Sequence, residues 1–149
     1  MDRRMKYALL GVGVIISLTF IILTMQSAQQ GQNKDTLAIN GVVLHVERAD
    51  TKEKQIQGLS QRESLKENVG MLFVYEKAGS PGIWMKDMHF PIDIIWINEE
   101  AKIVEIHENV SPDTYPTTFH ASVPVTYVLE VNAGWAKNAA VKVGDKVEL

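Results

Sequence analysis

Apolar and polar positions change period several times along this chain, and each change marks an element. Tyr7 to Met25 (YALLGVGVIISLTFIILTM) runs nineteen residues without a charge. As an α-helix it is roughly 28 Å long, about the hydrocarbon thickness of a bilayer. Its β-branched residues, from Val12 to Ile22, fall on every face of such a helix and leave no polar stripe for water. Gln26 to Asp35 is polar, lacks large apolar side chains and reads as a short flexible tether. Beyond it a period of two takes over. Asn40-Gly41 separates two apolar runs and fits a two-residue hairpin turn, after which Val42, Leu44 and Val46 alternate with Val43, His45 and Glu47. Asp50-Thr51-Lys52-Glu53 has the form of a capping box. It predicts a helix from Thr51 to about Arg62, with Asp50 as cap and Gly58 marking a close approach to a sheet.

Gly70 to Tyr75 is an apolar strand, and Lys77 to Gly82 is a loop by its glycine and proline content. The densest apolar run follows, from Ile83 to Asn98, and it carries Lys86, Asp87, His89 and Asp93. Phe90-Pro91 interrupts it, since proline cannot donate to a central ladder. Ile92 to Asn98 is apolar on both faces and is expected as a central strand, turning at Asn98–Ala101 into a second strand over Lys102–His107. Asn109 to Val123 holds Pro112 and Pro116 and is the longest irregular stretch, a candidate loop over a site. Val125 to Val131 is a strand. Asn132 is placed to cap a short helix over Ala133–Asn138 that carries Trp135, and Val141–Leu149 is a closing hairpin or bent edge strand. Seven or eight strands with short connections and one good helix predict a mainly β (α+β) fold. That fold is a compact, mainly antiparallel, partly closed β-barrel or sandwich with one or two short helices, not a doubly wound parallel sheet.

The division that follows is a cytoplasmic N-terminus (1–6), a transmembrane signal anchor (7–25), a tether (26–35) and a β-rich extracytoplasmic domain (36–149). Charge supports this order. Arg3, Arg4 and Lys6 precede the apolar run and the first acid after it is Asp35, which puts the short N-terminus in the cytoplasm and the rest outside. An uncleaved anchor is favoured over a cleaved signal peptide, because the apolar run is long and Gln26 stands where cleavage wants a small residue. The whole chain has a net charge of −3, of which residues 1–25 contribute +2, so the remainder is acidic and lacks the electrostatic footprint of a nucleic-acid binder. With no cysteine, a disulfide framework, a thiolate nucleophile and a thiolate metal site are all excluded.

Several strings occur together in order: Ala49-Asp-Thr, Gln57-Gly-Leu-Ser60 with Arg62, Gly70-Met-Leu-Phe73, Trp84-Met-Lys-Asp-Met88, Pro91-Ile-Asp-Ile-Ile-Trp-Ile97, Tyr127-Val-Leu-Glu-Val-Asn-Ala-Gly-Trp135 and Val143-Gly-Asp145. In order and spacing they resemble the domain of unknown function 192 (DUF192) family across roughly residues 38–149. The resemblance implies a prokaryotic protein, often exported or membrane-tethered, with a compact β-rich barrel; it brings no established reaction or catalytic residue. Asp87 stands where that family usually shows asparagine.

Lys86, Asp93 and Glu130 sit within or beside apolar strands and are the candidates for chemistry, with Trp84 and Trp135 as aromatic walls of a candidate cleft. Asp93 and Glu130 in one cavity would be paired carboxylates with shifted pKa values, suited to proton transfer or cation binding. Alternatively Lys86 pairs with one of them and knits two strands together. His89, His107 and His120 lack the close spacing of a zinc site, and Met85 and Met88 point to opposite faces of a strand, so neither a metal nor a cofactor is expected. No Gly-x-Ser-x-Gly, phosphate loop or dinucleotide fingerprint is present. The favoured function is a non-catalytic ligand- or partner-binding module of the cell envelope. The alternatives are an envelope hydrolase using Asp93 and Glu130, and a structural or assembly protein at the membrane surface.

Overall fold

Asn40 and Gly41 take φ values of 52° and 78°, and the chain reverses there between β1 (Thr36–Ile39) and β2 (Val42–Ala49). This is the hairpin expected from an Asn-Gly pair, since both central residues need positive φ. The computed structural model describes residues 36–149. The expected anchor and tether lie outside the described residues. Among those described, no helix is long and apolar enough to cross a membrane.

The body is mainly β, a curled sheet with two short helices. Helix α1 (Lys52–Gln57) starts one residue later than the capping-box reading, with Thr51 as cap accepting from the Lys54 N–H. The Asp50 carboxylate instead pairs with Lys54 Nζ at 2.9 Å. The helix ends well short of Arg62, because Gly58 takes a φ of 50° and lies under Phe73. A Cβ there would sit 3.4 Å from the Phe73 ring. Helix α1 is the crossover between β2 and β3 (Val69–Gly79), which run parallel, the one parallel pair in an otherwise antiparallel seven-stranded sheet. Strand β3 runs through three of the residues expected as loop, leaving only positions 80–82 irregular.

The charged apolar run divides. Ile83–Trp84 forms the short strand β4, and Ile92–Ile97 forms β5, all six residues buried between β6 (Ile103–Val110) and β8 (Val125–Asn132). The 109–123 stretch makes a 3₁₀ turn at Pro112–Thr114, and then β7 (Thr118–Phe119), which pairs with β4. Helix α2 (Trp135–Asn138) is capped at Gly134 and not at Asn132, whose side-chain amide donates to the Leu65 and Lys66 carbonyls. Strand β9 (Val147–Glu148) pairs with β1.

In the order β6-β5-β8-β3-β2-β1-β9, the two edges meet at one end. Ile103 N donates to Asp145 O, Gly144 N to Ile103 O, and Val147 N to Ala101 O, all within 2.9 Å. The sheet buries both faces. Leu37, Leu44, Leu72, Ile95, Leu129 and Val147 belong to one core, while Met71, Phe73, Ile94, Trp96 and Val128 belong to the other. Leu59, Leu65, Ile83, Met85 and Met88, from irregular segments and β4, cover the second face. Burial on both faces explains why β5 reads as a nearly continuous apolar run.

Candidate functional site

Strand β8 puts Val128 and Glu130 on the face that the irregular segments cover. Glu130 lies in register with Met71 on β3 and Ile94 on β5, both apolar. Its side chain is 5% exposed, and its Oε2 is buried with no hydrogen-bond partner. Removal from water without compensation disfavours the charged form, and burial pushes the Glu130 carboxyl up to about 8. The Arg62 guanidinium pulls the other way but is committed elsewhere, holding both carboxylate oxygens of Glu47 at 2.7 and 2.8 Å. The Tyr75 phenol, on β3, is pushed up to about 12 by burial and, less, by the Glu130 charge.

A cleft of about 40 Å³ reaches Glu130 between the end of α1 and the β4 segment, walled by Gly58, Leu59, Phe73, Ile83 and Met88. Two large apolar side chains stand at its mouth beside the exposed Gln57: Ile56 is 70% exposed and Trp84 is 49% exposed. Tyr115, 46% exposed, meets Trp84 edge-on at 6.0 Å between ring centroids. Two bonds strap the segment after α1 to the one after β4, Ser60 Oγ donating to Lys86 O at 2.9 Å and Gln61 N to Asp87 O at 2.7 Å. They set the width of the cleft by tying its two walls together.

Of the five residues singled out from the sequence, Glu130 and Trp84 line this cleft. Lys86 stands at its rim, with Nζ 5.9 Å from the Trp84 ring, and forms an ion pair with neither Asp93 nor Glu130. Asp93 is elsewhere. It is in register with Val131, so it points to the face opposite Glu130. It is fully buried and accepts three backbone N–H bonds, from Asn109 at 2.8 Å, Gly134 at 3.1 Å and Ala136 at 2.9 Å. The expectation of paired carboxylates in one cavity therefore fails: neighbouring strands hold them at positions one residue out of step, and alternation sends them to opposite faces. The expectation that a lysine balances Asp93 fails as well, because backbone amides satisfy it. Trp135 lines a separate groove with Leu65, Asn68 and Asn132.

Arg62, Tyr75 and Tyr115 had no local signal. Their relation to Glu130 or Trp84 depends on chain segments distant in sequence. The histidines disperse: His89 meets Glu63 at 3.1 Å, His107 meets Glu105 at 2.8 Å, and His120 lies 3.4 Å from Ser80 O. Among the described residues no group of three His, Cys, Asp or Glu is placed to hold a metal ion.

Two solved structures share this architecture. A protein of unknown function from Novosphingobium aromaticivorans DSM 12444 is 31% identical, with a TM-score of 0.72 over 76% of this chain and 84% of its own. A protein from Sinorhizobium meliloti 1021, with a provisional description as a transcription regulator, is 34% identical. Its TM-score is 0.70 over 76% of this chain and 89% of its own. No curated protein matches the chain. The family model DUF192, described as an uncharacterized ACR, matches residues 35–149. That span takes in the whole described sheet and the Glu130 cleft: the chain belongs to the DUF192 family.

Proposed function

We propose that residues 36–149 form a non-catalytic binding module whose ligand enters the cleft at Glu130, and that residues 7–25 hold this module on the outer face of the membrane. The observation that carries the binding reading is the Glu130 carboxyl, buried, unpartnered at Oε2 and lining a cleft that opens between exposed Ile56 and Trp84. A buried polar atom without a partner costs free energy that a ligand donor would recover. Support for a non-catalytic role is local. General acid–base or nucleophilic chemistry needs a second group in reach. Asp93 faces away, and the one hydroxyl lining the cleft, Ser60, already donates to a backbone carbonyl.

The test is a thermal-shift screen of small molecules on the full chain in detergent, run beside Glu130→Gln. Ligands of this site raise the wild-type melting temperature and lose most of that effect in the variant. A screen whose every hit stabilises both proteins equally would sink the reading. The tether is tested separately: the full chain should stay in the membrane pellet after an alkaline wash, and release into the supernatant refutes it.

A further inference from the structure

The size of the Glu130 cleft restricts what can enter. Its volume is about 40 Å³, where one water-sized group needs roughly 10–15 Å³ on the same measure. Only a terminal group of a few heavy atoms reaches the end of the cleft, and the rest of any ligand stays at the mouth, against Ile56 and Trp84. We propose that this cleft receives the ammonium end of a small organic cation whose apolar or aromatic body rests on the Trp84–Tyr115 rim. The proposal rests on the binding reading above and names its ligand class.

Three features select an ammonium from the groups small enough to fit. The Glu130 carboxyl lines the cleft and its inner oxygen, Oε2, lacks a donor; an ammonium brings three donors to the carboxyl whereas a carboxylate brings none. The wall opposite is the C-terminal end of α1, Gln55 to Gly58. Helix ends of this polarity favour positive charge, though here Lys54 O and Gln57 O already accept from Gly58 N and Ser60 N. At the mouth, the Trp84 ring already holds Lys86 Nζ at 5.9 Å, a cation–aromatic contact that an incoming ammonium takes over by displacing the lysine.

The groups acting on the Glu130 charge are few. Arg62 approaches from the segment after α1, with its charge balanced by Glu47, and Tyr75 lies on β3; the residues in register on β3 and β5, Met71 and Ile94, are apolar. Burial keeps Glu130 protonated at neutral pH. Seating an ammonium against it yields a carboxylate–ammonium pair and releases the carboxyl proton to solvent, so binding tightens as pH rises towards 8.

The experiment titrates the full chain in detergent with benzylammonium, benzyl alcohol and benzoate, following tryptophan emission and calorimetry in buffers of different ionisation enthalpy. Benzylammonium should saturate the site and strengthen about tenfold per pH unit between pH 6 and 7.5, levelling near pH 8, with close to one proton released at pH 6. Glu130→Gln should weaken it about 10- to 100-fold, and Trp84→Ala should remove the emission change. Benzyl alcohol binding as tightly as benzylammonium, with the same loss in Glu130→Gln, would overturn the cation and leave the site standing. Benzylammonium binding that ignores pH, or that survives Glu130→Gln, overturns the proposal. No saturable binding by any of the three probes overturns both the proposal and the site. The pH profile and proton release use the wild-type chain, so both remain decisive if the variant does not fold.

Discussion

Glu130 differs from the other acids of this domain because its burial outweighs the single charge that opposes it, the Arg62 guanidinium held by Glu47. Its folded carboxyl titrates near 8, against an ordinary value of 4.5. Between those two pH values the unfolded chain has released a proton that the folded chain keeps. Stability therefore falls as pH rises through this window, by up to about 1.4 kcal/mol per pH unit, and the loss levels off above pH 8. Melting curves of Glu130→Gln from pH 5 to 9 should lack this slope, because an amide does not titrate. A variant that kept the wild-type slope would place the titrating group elsewhere. A core leucine at this position would avoid the cost, so an acid here fits a role outside packing.

Among the elements, Asp93 is the joint. Its carboxylate sits on β5 and accepts from Asn109 at the end of β6 and from Gly134 and Ala136 at the start of α2. Strand β5, the last turn of β6 and helix α2 are thereby docked through one side chain. Asp93→Asn keeps one accepting oxygen and turns an amide NH₂ towards a backbone N–H, leaving at least one buried donor unmet. A loss of about 3 kcal/mol of unfolding free energy is expected, measured by urea titration. An unchanged midpoint would mean that the three bonds contribute little. Ligand binding at the Glu130 cleft, on the other side of the sheet, should persist in molecules that remain folded.

For the whole molecule, the closing contact is the decisive one. The last residues pair β9 with β1 and bridge to residues 101–103 at the start of β6 and just before it. Val147 is buried in the first core, and Asp145 accepts from Asn40 Nδ2 and Lys142 N, both at 2.8 Å. Removing residues 145–149 leaves β1 as an unpaired edge. The expected outcome is a loss of about 3 kcal/mol or more, with self-association through the exposed edge, read by melting temperature and by light scattering during size-exclusion chromatography. A truncated chain that stays monomeric and melts like the wild type would show that the closure is dispensable.

Local pattern was enough for the long strands, for the Asn40-Gly41 and Asn98–Ala101 turns, and for the mainly β class, because alternation and turn chemistry are properties of neighbours in sequence; β7 lay inside a stretch read as irregular. It also singled out Glu130 and Trp84, since an acid inside an apolar strand and a tryptophan beside a loop are visible in one dimension. The cap of α2 was misplaced because its acceptor comes from Asp93, 43 residues away from Ala136. The parallel pairing of β2 with β3, the wall that Gly58 and Met88 share, and the placing of Arg62 near Glu130 depend on how distant segments cover one face of the sheet. Whether two acids share a cavity turned on strand register: Asp93 lies opposite Val131, and Ile94 lies opposite Glu130. Only the folded sheet sets that register, because a shift of one residue between paired strands exchanges every side chain from one face to the other.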